Sequence, residues 1–153
     1  MKRYTYAFLA GPFETREELC GFWSEGNCRR ALQWYFFEYH AIFFSPEQLL
    51  CPQSFLATGT FILKEGERWN TTLLRVGDVI FAERIRGKDG KKIPSKKNSL
   101  SREEYLVRLH TAIIQNIEPL QFFHATSLSG KSCVWTQEAF FRYYRSIAVK
   151  RFV

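Results

Sequence analysis

The chain of 153 residues is 46% hydrophobic and 17% aromatic, enough apolar material for one domain with a buried core, which excludes disordered and collagen-like classes. Its 22 basic and 15 acidic residues leave a net charge of +7; that balance suits an anionic partner such as nucleic acid, an acidic polymer or a membrane surface, and says nothing about fold. No window approaches the ~20 apolar residues of a membrane span.

The chain opens on Met1-Lys2-Arg3 and runs through Tyr4, Thr5 and Tyr6. The apolar stretch is too short and interrupted for a signal peptide, so the expectation is a strand-forming terminus on a protein that is cytoplasmic as synthesised, unless another machine delivers it elsewhere. Residues 15–23 read as a short helix with Thr15 as cap and Glu18 at capping-box spacing, broken by residues 24–27. From Cys28 onward, apolar residues at 31, 32, 34, 35, 36 and 39 are dense enough for a helix buried on most of its surface, with Asn27 as N-cap. Ser45-Pro46 repeats the start signal for a short helix ending near Cys51-Pro52. The stretch to Leu73 reads as loop, residues 76–85 as a strand rich in β-formers, and Asp89-Gly90 as a tight turn.

Residues from about 86 to 103 form a basic insertion with Lys88, Lys91, Lys92, Lys96 and Lys97 and little apolar content beyond Ile93 and Leu100. It reads as a solvated loop, with a clamp for a substrate or polyanion as the sharper alternative. Residues 105–115, 120–127 and 132–136 follow as three strands of an antiparallel meander, separated by Asn116, Glu118-Pro119 and Ser129-Gly130. A short helix over residues 137–144 and a strand over 148–153 close a single domain spanning 1–153.

Four cysteines, Cys20, Cys28, Cys51 and Cys133, contain no Cys-x-x-Cys pair, so the pattern supports neither a zinc ribbon nor a thioredoxin-type site, and free thiols are expected. Cys28 stands apart because it opens a helix, where unpaired amides and the helix dipole favour a thiolate. Arg29 and Arg30 are expected to add positive potential there. Cys20, Cys51 and Cys133 read as packing residues. His40 lies near a helix end, an ordinary surface position. His110 and His124 fall in apolar strand runs, where an imidazole needs a partner or a cleft. Two such histidines on pairing strands, downstream of a helix-start cysteine, point to a nucleophile, its base and an orienting group.

These segments resemble the NlpC-like cell-wall peptidases, a branch of the papain fold. The resemblance rests on Gly26-Asn27-Cys28, Val76-Gly77-Asp78-Val79-Ile80-Phe81, His110-Thr111-Ala112-Ile113-Ile114 and Phe122-Phe123-His124-Ala125-Thr126-Ser127, in family order across roughly residues 20–153. It implies an α+β papain-like fold with N-terminal helices packed on an antiparallel β-sheet. It also implies a cysteine hydrolase of amide or peptide bonds with Cys28 as nucleophile, His110 as base and acid, His124 as orienting group, and neither metal nor cofactor. A peptide or amide substrate follows, a peptidoglycan peptide among them. Arg29 and Arg30 stand where the family keeps small residues, the basic insertion is longer than the family's loop, and the family's upstream tyrosine has no counterpart unless Tyr4 or Tyr6 folds back. In the permuted lecithin:retinol acyltransferase-like relatives the histidine precedes the cysteine, so Asn27-Cys28 does not argue for that branch.

Two readings compete. In one, residues 76–92 are a strand-turn-strand of an SH3-like or OB-like barrel whose lysines and aromatics bind nucleic acid. In the other, the chain is an inactive papain-fold scaffold for protein contacts. Oligomeric state is left open by the sequence.

Overall fold

The computed structural model describes residues 12–21, 27–129 and 131–153. The expectations for the amino-terminal strand, for Tyr4 and Tyr6, for the break over residues 24–26 and for Gly130 lie outside the described residues. Asn27 caps the helix α1 (Cys28–His40) as expected, its side-chain oxygen accepting from the amides of Arg29 and Arg30. Ser45 caps α2 (Pro46–Leu50) in a full capping box closed by Gln48. That helix ends at Leu50 with Cys51 as its C-cap, as expected, and Pro52 then opens a further helix, α3 (Pro52–Ala57), at a first position where its missing N–H costs nothing.

Six strands, β1 (Thr60–Leu63), β2 (Val79–Arg84), β3 (His110–Asn116), β4 (Gln121–Thr126), β5 (Lys131–Thr136) and β6 (Tyr144–Arg151), form one sheet in the order β1-β6-β2-β3-β4-β5. Every neighbouring pair is antiparallel. The expected meander is therefore present, and the class is α+β with an antiparallel sheet. Side chains alternate across it: Val79, Phe81 and Ile113 face a core shared with α1, α2, α3 and the helix α4 (Arg102–Val107), while Ile80, Ala82, Ala112 and Phe122 face a second core with α5 (Gln137–Tyr143). Gln33, fully buried in α1, gives its amide hydrogens to the carbonyls of Phe13 and Phe44 and accepts from the Phe13 amide, so it ties both flanking segments to the helix. No helix among the described residues is long and apolar enough to cross a membrane.

Several expectations need correction. The run expected as a strand from residue 105 is helical to Val107 and extended only from His110. Ser101 accepts from the Glu104 amide and Glu103 and Glu104 occupy the first turn, the usual start signals; Tyr105, Leu106 and Val107 are all buried, and a short apolar run carries no period that separates strand from helix. β1 lies in the stretch expected as loop, because its pairing partner, β6, is remote in sequence. Of the segment expected as a helix over 15–23, the described part is a 3-10 turn, Arg16–Gly21, with Thr15 Oγ1 donating to the Glu18 carboxylate; residues 22 and 23 lie outside the described residues. β6 begins at Tyr144, four residues before the expected strand. The strand-turn-strand expected over residues 76–92 is a short hairpin beyond β2, with the Arg86–Lys92 bridge and backbone bonds from Gly87 to Lys91 and from Ile93 to Ile85 around the turn at Asp89-Gly90, while β2 itself lies between β3 and β6 in the six-stranded sheet.

Candidate active site

Cys28 is the first residue of the 13-residue α1, so its thiol sits at the positive end of that helix. Two side chains brace this helix start. Thr111 Oγ1 donates to the Cys28 carbonyl at 3.2 Å, which fixes the cysteine's backbone against the residue next to His110. Arg29 Nη2 donates to the Val107 carbonyl at 2.6 Å, which fixes it against the connection from α4 into β3. Arg29 is fully buried, with its guanidinium 5.5 Å from the centre of the Phe81 ring and its Nε and Nη1 unpartnered. Arg30 lies over Phe13. The two arginines after Cys28 therefore do different things, and neither is among the lining residues of the cleft.

His110 starts β3 opposite Ala82 of β2, and His124 lies near the end of β4 opposite Cys133 of β5. Their rings meet, with His110 Nε2 2.8 Å from His124 Nδ1. The His110 ring stacks on Tyr144 at 4.3 Å and 14°, and Tyr144 stacks in turn on Phe140. The Tyr144 hydroxyl lies 2.6 Å from Thr126 Oγ1, so the aromatic ring that supports His110 is itself held. His124 is fully enclosed, edge-on to Trp135 at 4.6 Å. Its Nε2 has no hydrogen-bond partner.

Burial holds both imidazoles well below the usual histidine range; the Arg29 and Arg84 charges press further on His110, and His110 presses on His124. Both are therefore neutral at pH 7. With one proton each, only one tautomer lets His110 Nδ1 accept a proton: Nε2–H of His110 donates to His124 Nδ1, and His124 carries its hydrogen on Nε2. That choice leaves a buried N–H unsatisfied, which costs about 1–3 kcal/mol. Burial also pushes the Tyr144 phenol up to about 12, so it is a fixed neutral hydroxyl.

Cys28 and His110 line one cleft of about 380 Å³ with Asn27, Arg84, Ser127 and Tyr144. Its far wall comes from the basic insertion: Ile93, Pro94, Lys96 and Leu100 line it, and Ser95 donates to Glu83 of β2 at 2.7 Å. The insertion is exposed over most of its length, as a solvated loop should be, yet it also closes the site. Arg102 and Glu103, expected as the end of the insertion, belong to α4.

The remaining expected residues are elsewhere. Cys51 is buried at the α2–α3 junction, Cys133 lies in β5 with Sγ 3.4 Å from Ser129 Oγ, and both, like Cys28, are free thiols. His40 ends α1, exposed, with its ring near those of Tyr35 and Phe36. The Cys20 side chain lies outside the described residues. Among the described residues no group of three His, Cys, Asp or Glu side chains is arranged to hold a metal ion. Thr111, Tyr144, Trp135 and Arg84 were not legible as site residues. Thr111 points to the opposite sheet face from His110, and Tyr144 reaches the histidine only through the register of β6 on β2. No family model, curated protein or solved structure matches this chain.

Proposed function

We propose that the protein is a cysteine hydrolase of amide or peptide bonds, a divergent relative of the NlpC-like branch of the papain fold. The observation that carries the reading is the 2.8 Å contact between His110 Nε2 and His124 Nδ1 in a molecule whose cleft is lined by both His110 and the helix-start Cys28. In this reaction His110 Nδ1 takes the Cys28 proton as sulfur attacks the carbonyl carbon, and the carbon–oxygen double bond opens to an oxyanion. The positive end of α1 stabilises that charge. Collapse breaks the carbon–nitrogen bond, His110 returns the proton to the departing amine, and a thioester remains. Water then attacks the thioester with His110 again as base, and the acid product leaves as the thiol re-forms. His124 holds the His110 tautomer throughout.

Depressed basicity keeps His110 unprotonated and ready at neutral pH, at the expense of its strength as a base. A peptide substrate, a cell-wall peptide among them, fits an open cleft of this size. The experiment is alkylation of the purified protein by iodoacetamide at pH 7, read by peptide mass spectrometry. Cys28 is expected to react fastest of the cysteines, and His110→Ala to slow it by about 100-fold or more. Equal slow labelling of Cys28, Cys51 and Cys133, indifferent to His110→Ala, would sink the reading.

A further inference from the structure

We infer that Arg84, oriented by Ser127, reads a carboxylate of the substrate beside the bond that Cys28 attacks. This deepens the hydrolase reading and rests on it. Arg84 ends β2, two residues beyond Ala82, which faces His110 across the strand pair. It is thus the diagonal cross-strand neighbour of the proposed base, about 7–8 Å away between backbones, and both line the cleft.

The Arg84 guanidinium is aimed before any ligand arrives. Nε donates to the Arg86 carbonyl and Nη1 to Ser127 Oγ, each at 2.9 Å. The second Nη1 hydrogen and both Nη2 hydrogens remain, an arrangement that suits a planar carboxylate. No carboxylate of the described residues forms an ion pair with Arg84. Glu83, the one carboxylate among the described lining residues, is committed to Arg145 and Ser95. Lys96 also lines the cleft, so a second cation stands on its wall beside Arg84.

A carboxylate on Arg84 changes the chemistry as well as the affinity. The Arg84 charge is among the causes that hold His110 down. Neutralising it lets His110 become a stronger base when, and only when, an anionic substrate is seated. Arg84 is then a specificity residue with a share in the rate, and a neutral substrate of the same shape lacks both.

Iodoacetate and iodoacetamide differ at this site essentially by one negative charge, so the ratio of their Cys28 alkylation rates reads the anion subsite. The wild-type ratio is expected to exceed that of Cys133 in the same molecule, and Arg84→Gln to lower it by about tenfold, with Arg84→Lys between. Far-ultraviolet circular dichroism confirms that each variant is folded. A ratio unchanged by Arg84→Gln overturns the subsite even if Cys28 remains the fastest thiol with iodoacetamide. A Cys28 indifferent to His110→Ala but preferring iodoacetate through Arg84 overturns the hydrolase reading and keeps the subsite. If Cys28 reacts with neither reagent, succinate titration followed at the Arg84 Nε–H resonance decides: a saturable shift supports the subsite, and none overturns it.

Discussion

Two buried cations, Arg29 near His110 and Lys150 at the other end of the central strands, show how differently the same problem is handled. Each is fully buried, and each gives a hydrogen bond to one backbone carbonyl, Val107 for Arg29 and Phe55 for Lys150. Each lies over aromatic rings, Phe81 in the first case and Phe55, Phe61 and Phe152 in the second. Neither has a carboxylate partner among the described residues. Burial pushes the Lys150 ammonium down to about 8, so that end of the sheet can shed its charge in mild alkali. A guanidinium cannot. The end of the sheet that carries His110 therefore keeps a permanent positive charge, and His110 is held neutral partly because of it.

The contrast breaks most completely at the histidine pair. His124→Ala removes the group that fixes the His110 tautomer and leaves a cavity against Trp135, and Cys28 alkylation at pH 7 is expected to fall by about 10- to 100-fold. His124→Asn, which can still accept from His110 Nε2, should recover part of that loss. Equal rates in the two variants would show that His124 only packs.

Acid tests the same end by stability. The folded state holds both histidines below the value of about 6.5 they take when unfolded. The unfolded chain thus binds more protons as pH falls below that value, and the fold loses stability there rather than above it. The slope is at most about 1.4 kcal/mol per pH unit for each histidine. Urea unfolding between pH 7 and 5 should show this slope in the wild type and a shallower one in His124→Gln. A slope equal in both proteins would contradict the burial account.

A smaller effect separates the charge of Arg29 from its bracing role. Arg29→Met keeps most of the buried volume and deletes a charge whose Nε and Nη1 are unpartnered, so stability should hold or rise. Removing a cation near His110 raises its pKa. The acid limb of the pH–rate profile for Cys28 alkylation should then move to higher pH, by up to about one unit. An unmoved limb would mean that Arg29 acts on the site through Val107 alone.

Much of this was written locally in the sequence. Asn27 before Cys28 and Ser45-Pro46 are caps whose chemistry needs no distant partner, and they set the starts of α1 and α2 as read. The strands carrying His110 and His124 were legible from their apolar β-branched and aromatic runs, which is why the histidines could be paired before any coordinates. Part of what failed depended on distant contacts: β1 exists because β6 pairs with it. Residues 102–107 failed on a local signal instead, because the Ser101 cap was outweighed by an apolar run that is buried in either conformation. The role of Tyr144 required the register of β6, and the burial of Arg29 required the α4–β3 connection, neither of which leaves a local mark. An arginine after Cys28 reads as surface charge, and only packing shows its bond to the Val107 carbonyl.

The far end of the sheet gives the last and mildest test. Lys150 is held to about 8 in the fold and rises to about 10.4 when unfolded. Between those values the unfolded chain is protonated where the folded chain is not, so stability rises with pH across that window by at most about 1.4 kcal/mol per unit. Below pH 8 the ammonium is charged in both states, and its desolvation counts against the fold in full. Lys150→Met removes the ammonium and keeps the unbranched stem among Phe55, Phe61 and Phe152. It should therefore raise the midpoint of urea unfolding at pH 7 and flatten its dependence on pH above 8. Cys28 alkylation at pH 7 should not change, because Lys150 pairs with Val79, at the end of β2 away from the Ala82–His110 pair. A stability loss at pH 7 would instead mean that the bond to the Phe55 carbonyl and the three rings more than offset the burial of the charge.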